Sequence, residues 1–287
     1  MNVKGFLYCL TLASAVLVCS CKKDAPKIDT PESSVSISLD MMNCPDDVVK
    51  GMSLLAFASD SSLSKMIVSD GFTADSVASF SLAEGSYKVL LCTNVGTEVA
   101  LSIPDDSVSL SDVNLVPLVT TAFQNHPHIG FTEFSLSDGK AVNQSVVVNR
   151  LLADFGITLT GITDEVTTIR ATLLNAVSSV NIGTLSYGEG TYSVDCGTVD
   201  VADGIAVFSR RVCMPTSGPA LFRLDLIDAS GNVYSEKQLS VVAFKNGGIY
   251  NVEADYSYSE PIVFVNGINI IDWEDGDDMN MGAEETN

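Results

Sequence analysis

Residues 34–40 read SVSISLD, with Val35, Ile37 and Leu39 alternating against serines. Side chains on a β-strand point alternately to opposite faces, so this stretch has one apolar and one polar face and reads as a half-buried strand. The same period recurs downstream. MSLLAFAS (52–59), SVASFSL (76–82) and GSYKVLLCT (85–93) follow, separated by clusters of Asp, Ser and Gly. Residues 104–124 break the rhythm and fit a short helix or a long loop over a sheet edge. SVVVNRLLADFGITLTGI (145–162) reads as one long strand ending at Thr163-Asp164, and TDEVTTIRATLLNAV (163–177) has the only helix-like pattern, weakened by its β-branched residues.

The turns of the second half are explicit. Ala229-Ser230-Gly231-Asn232 separates FRLDLID from VYSEKQLSVVAF, and Asn246-Gly247-Gly248 turns that run into IYNVEADYSY. Asn266-Gly267 is expected to make a type I′ hairpin with Val265 opposite Ile268. The whole reads as a meander of antiparallel strands. Many short strands with regular turn signals give an all-β chain of two antiparallel β-sandwich domains in tandem, residues 33–162 and 163–287, the second ending in an acidic tail.

The N-terminus has a different logic. A single Lys4, an apolar run from about Phe6 to Val18 and then small residues make residues 1–20 an export signal, too short to remain as a spanning helix. In AVLVCSCKKDAPK (15–27) two cysteines compete as the lipid attachment point. A lipoprotein signal needs a small residue just before the cysteine. Cys21 follows Ser20, whereas Cys19 follows the bulky Val18, so Cys21 is the expected lipidated residue of the mature chain. Acyl chains on it would hold the protein to a membrane surface, each buried methylene adding roughly 0.8 kcal/mol. Residues 21–32, charged and carrying two prolines, read as a tether.

The formal net charge of −21 repels nucleic acid and anionic headgroups, which excludes nucleic-acid binding. No GxSxG, P-loop, GxGxxG, HExxH or CxxC pattern occurs. His126 and His128, in NHPHIG, have no Cys/His cluster beside them and read as two exposed loop histidines. Asp272, Asp275, Asp277 and Asp278 are oxygen-rich enough to draw Ca²⁺, yet they lack EF-hand spacing and read as a solvated tail. Trp273 continues the alternation of Asn269 and Ile271 and reads as packing. No catalytic residue, cofactor or metal is therefore expected. Cys44, Cys92, Cys196 and Cys213 allow three pairings. If Asp203-Gly204 is a two-residue turn, Cys196 faces Arg211 and lies only diagonal to Cys213, which favours free, buried thiols.

Four stretches together resemble one family. SFSLAEGSYKVLLCTN (79–94), VVVNRLLADFGITL (146–159), FKNGGIYNVEADY (244–256) and INIIDWEDGDD (268–278) are similar, in order, to elements of the Bacteroidales fimbrillins and their anchor or minor subunits. The resemblance implies transthyretin-like sandwiches, export as an outer-membrane, surface-exposed lipoprotein, and assembly into adhesive pili with other fimbrial subunits by β-strand addition. It also implies that a polymerising subunit is cut after a basic residue in the loop behind its first strand. Lys50, in CPDDVVKGMS (44–53), is the one basic residue there, where the family commonly has arginine. That departure favours an anchor or minor subunit that keeps Val35, Ile37 and Leu39 in place. No enzymatic activity is expected. The alternative is a surface lipoprotein that binds a glycan or host ligand.

Overall fold

The computed structural model describes residues 32–104, 109–137 and 139–256 in full, and the backbone of 264–271. The first ten strands are β1 (Ser33–Asp40), β2 (Met52–Ala58), β3 (Leu63–Ser69), β4 (Val77–Leu82), β5 (Gly85–Thr93), β6 (Val99–Ser102), β7 (Asn114–Pro117), β8 (His128–Leu136), β9 (Val142–Val147) and β10 (Asn149–Arg150). The remainder are β11 (Ala153–Thr160), β12 (Thr168–Val177), β13 (Val180–Asn181), β14 (Thr191–Ala202), β15 (Ile205–Cys213), β16 (Pro219–Ile227), β17 (Val233–Ala243), β18 (Ile249–Asp255) and β19 (Phe264–Ile271). The described residues are all-β, with one 3-10 turn at Leu110–Asp112. Of the helix-like stretch 163–177, residues 168–177 are a strand, in which Ile169, Ala171 and Leu173 are buried and alternate with the more exposed Thr168, Arg170 and Thr172.

A three-stranded sheet, β4-β1-β9, packs on a five-stranded sheet, β10-β8-β5-β2-β3. Val35, Ile37, Phe80, Leu82 and Val146 from the first meet Leu54, Ala56, Val89, Leu91 and Leu136 from the second. The opposite face of the five-stranded sheet, with Leu55, Phe57, Leu90, Cys92 and Ile129, belongs to the other core. Covered on both faces, β2 loses alternation and is apolar nearly throughout.

The remaining strands form a second sandwich. β17-β16-β12-β14 faces β15-β11-β18-β19, and β14 joins the two layers. Its residues 191–200 pair with β12, and Val201 and Ala202 pair with β15. Phe155, Phe222, Phe244 and Tyr250 fill the space between, with ring centroids 4.5 Å apart for Phe244–Tyr250 and 5.3 Å for Phe155–Phe222. A small sheet, β13-β7-β6, packs against the same core that takes in the outer face of the five-stranded sheet.

Several expectations need correction. The stretch 145–162 is not one strand but β9, β10 and β11, with the partners changing between Arg150 and Ala153. β9 passes so close to β8 that a Cβ on Gly130 would come within 2.6 Å of the Val147 carbonyl oxygen. The chain is not a simple meander. β1 pairs with β9, and β11 with β18, in parallel. Parallel partners need crossover connections, and Asn246-Gly247-Gly248 carries one of them, taking the chain from edge strand β17 to β18 in the opposite layer. Asn266-Gly267 is no hairpin. β19 runs straight through it, pairing Gly267 with Glu253 and Val265 with Ala254, so Asn266 is the extra residue of a bulge. Both a bulge and a turn favour glycine, which is why the dipeptide misleads.

Asp203-Gly204 does form the two-residue turn. Both residues have positive φ, 52° and 74°, and Ala202 pairs with Ile205. The strands then separate after two rungs, Cys196 following one sheet and Cys213 the other. All four described cysteines are free and buried. Burial pushes the Cys92 and Cys196 thiols up to about 12 and Cys44 to about 11, where the last is also raised by Asp47. Since the thiolate is the reactive form, native protein at neutral pH should resist alkylation at these four positions, and urea-unfolded protein should be labelled at all of them by mass spectrometry. Labelling of the native state at any one would contradict the packing.

Candidate functional site

The site begins with the first strand. β1 is the middle strand of its sheet, paired antiparallel with β4 from Ser33↔Leu82 to Ser38↔Val77 and parallel with β9 from Val35↔Val142 to Asp40↔Val147. Val35 and Ile37 are fully buried, and Leu39 packs partly buried against the same core. The polar face carries Ser36, whose hydroxyl lies 3.3 Å from that of Ser79. Without β1, strands β4 and β9 would flank an apolar slot lined from below by Leu54, Val89 and Leu91.

The loop from Met41 to Gly51 leads out of β1, and it is tied down along its length. Asn43 donates to the side chain of Asn149 at 2.5 Å, and the Cys44 thiol faces the Val148 carbonyl at 3.6 Å. Asp47 accepts two hydrogen bonds from Arg150, each at 2.6 Å, and a third from His128 Nε2 at 2.9 Å. Asn94, itself at φ 57°, donates to the Val48 carbonyl at 2.7 Å and accepts from the Lys50 amide at 2.6 Å. Gly51, at φ 82°, donates its amide to Phe72 at 2.9 Å. Lys50 is exposed, yet Val49 and Gly51 on either side are buried. A protease must bind several residues in extended form, and here the backbone is pinned on both sides of Lys50.

Both histidines are buried, at 8% and 1% exposure, which overturns the reading of NHPHIG as an exposed loop. Their partners come from distant sequence. The Thr93 hydroxyl lies 2.7 Å from His128 Nδ1, and His128 donates from Nε2 to Asp47. His126 lies 3.0 Å from Asp154, which also pairs with Arg210. Burial alone would push the Asp47 carboxyl up. Hydrogen bonds from His128 and Arg150 and the Arg150 charge outweigh it and hold the carboxyl well below the ordinary range. Cys44, Asp47 and His128 bring three metal-ligand atoms within 4.8 Å of one another. Arg150 already occupies both Asp47 oxygens, so the trio is the core of an ion-pair network.

The structure thus brings Val35, Ile37, Leu39 and Lys50 into one continuous feature, with Asp47, His128, Arg150 and Asn94 as the residues that sequence reasoning missed. Cys21, Trp273 and the acidic cluster Asp272, Asp275, Asp277 and Asp278 lie outside the described residues.

No protein-family model and no curated protein sequence matches the chain. Solved structures do. The fold is similar to that of a candidate polysaccharide-binding protein from Bacteroides thetaiotaomicron, at TM-score 0.60 and 12% identity over 84% of this chain and 99% of that one. It is similar to the fimbrial anchor protein Mfa2 from Porphyromonas gingivalis, at TM-score 0.56 and 12% identity over 84% and 98% of the two chains. A fimbrial assembly protein from Parabacteroides distasonis aligns at TM-score 0.51 and 13% identity over 82% and 99%. The chain shares the fold of Bacteroidales fimbrial and adhesin proteins. At these identities the likeness speaks for architecture, and it spans nearly the full length of each relative.

Proposed function

We propose that this protein is a lipid-anchored fimbrial anchor or minor subunit of the outer membrane, serving cell adhesion and meeting other fimbrial subunits by β-strand addition. In this reading Cys21 carries the lipid, residues 21–32 are the tether, and the two sandwiches are transthyretin-like domains over 33–162 and 163–287. The observation that carries it is β1, seated between β4 and β9 and followed by a loop held on both sides of Lys50. A stalk subunit must surrender such a strand to expose its groove. The pinned loop and the central place of β1 support a chain that keeps it. Main-chain pairing then supplies affinity at a sheet edge, with side chains in alternate pockets giving specificity. The fold shared with a fimbrial anchor and a fimbrial assembly protein supports the same reading.

Mass spectrometry of the native protein, recovered with its bound partners from outer-membrane extracts, tests this. The expected N-terminus is acylated Cys21, with fimbrial subunits co-purifying, and Cys21→Ala should move the protein to the soluble fraction. A mature N-terminus at Gly51 with ladder-forming oligomers would make it a stalk subunit. Tight polysaccharide binding with no pilus partner would favour the surface glycan-binding alternative.

A further inference from the structure

Beside the loop network is a cleft of about 640 Å³, lined by Asp47, Gln124, His126, Asp154, Arg210 and Arg211 among others. That volume is within the ordinary range for small-molecule sites. Two buried polar atoms in its wall have no partner: Nδ1 of His126, a residue 8% exposed, and Oδ1 of Asp154, 1% exposed. Buried polar atoms are nearly always hydrogen-bonded, so an orphaned pair in the wall of a cleft leaves hydrogen-bonding capacity for a water or a ligand to fill. Asp154 Oδ1 is an acceptor, and so is His126 Nδ1 in the neutral tautomer that directs Nε2–H at Asp154 Oδ2. They need donors.

The charge requirement is the opposite. Arg210 and Arg211 are the only adjacent basic pair in residues 32–287 of a chain with net charge −21. Arg210 is committed to Asp154. Arg211 hydrogen-bonds only to Ser209 and the Arg210 carbonyl, and it has no carboxylate partner among the described residues. All of these bonds use Nη1, which leaves the Nε and Nη2 edge of the guanidinium to take a carboxylate. The complementary ligand therefore carries one carboxylate and several hydroxyl donors on a compact frame.

We propose that this cleft is a subsite for a carboxylated sugar, a hexuronic or sialic acid residue. Vicinal hydroxyls on one ring meet His126 Nδ1 and Asp154 Oδ1 while the carboxylate meets Arg211. An acidic peptide would satisfy Arg211 but presents its N–H groups one per residue along an extended line, which suits two orphans in one wall less well. The protein's own negative field opposes any acid at long range, so affinity arises from these contacts and not from steering.

Calorimetry or saturation-transfer NMR on the full chain, with glucuronic acid and N-acetylneuraminic acid as probes and glucose as the neutral reference, decides the matter. At least one acid should bind at millimolar concentration and glucose should not. Arg211→Gln should weaken that binding about tenfold or more with an unchanged melting temperature, because its side chain supports no other element. Equal binding of glucose, undiminished binding by the variant, or no saturation with either acid would overturn the assignment. So would binding of a Glu-rich peptide where neither acid binds.

Discussion

A chain made without residues 33–40 should fail to hold its first sandwich, and a synthetic peptide of that sequence, SSVSISLD, should restore it when added in trans. The physical ground is that β1 is a middle strand. Its removal exposes Val35 and Ile37 contacts worth about 1.5–3 kcal/mol each, part of that for Leu39, and two rows of main-chain hydrogen bonds. Set against a typical total stability of about 5–15 kcal/mol, that loss is large. For a chain of this size each kcal/mol moves the melting temperature by roughly 2–4 °C, so the truncated protein should melt at least 10 °C lower by that same rule. Peptide binding should be read by recovery of the melting temperature. A peptide of the same composition without alternation, VISLSSSD, should not rescue, because no register places its three apolar residues on one face. Unchanged melting after truncation, or equal rescue by both peptides, would show that the slot between β4 and β9 does not select an alternating strand.

That slot was legible in the sequence, and the lock beside it was not. Alternation in SVSISLD is local, so the buried face of β1 could be read directly from Val35, Ile37 and Leu39, and the Asp203-Gly204 turn likewise carries its own geometry. β2 was legible as a strand, but its place as a layer covered on both faces rests on partners far away in sequence. The Asn266-Gly267 error has the same origin: the dipeptide records a backbone requirement that a turn and a bulge share, and only the pairing with Glu253 and Ala254 separates them. His126 and His128 were hidden for a further reason. A histidine in a short polar stretch looks solvated until Asp47, 81 residues before His128, and Asp154, 28 residues after His126, are brought against them. The pairing is tertiary and leaves no periodic signal.

Asp47→Ala is expected to release the loop behind the first strand and make the Lys50–Gly51 bond cleavable. Asp47 is 12% exposed, Arg150 14%, and the His128 side chain fully buried, so solvent screens this network little. Removing one partner of a buried pair leaves the other charge uncompensated and typically costs about 3–5 kcal/mol. Here that cost falls on a loop whose opening exposes the backbone around Lys50. When opening is fast relative to cutting, cleavage tracks the population of the open form, and a loss of about 3 kcal/mol raises that population roughly a hundredfold. A lysine-specific protease should therefore leave Lys50 intact in the native protein and cut there in the variant, releasing a fragment that begins at Gly51. Pairing Asp47→Leu with Arg150→Met keeps the volume and removes both charges, and should recover much of the stability. Acid should act on the same lock. The Asp47 carboxyl is depressed in the folded state, so its contribution is complete above the ordinary Asp value of about 3.9 and is lost progressively as pH falls below it towards the depressed value. Protection of Lys50 should hold from neutral pH down to the ordinary Asp value of about 3.9 and decline in more acid solution, read with a protease active across the range. Equal cutting at Lys50 in the native protein and the Asp47→Ala variant would mean that the loop is held by something other than Asp47, and the case for a retained first strand would then rest on the β1 pairing alone.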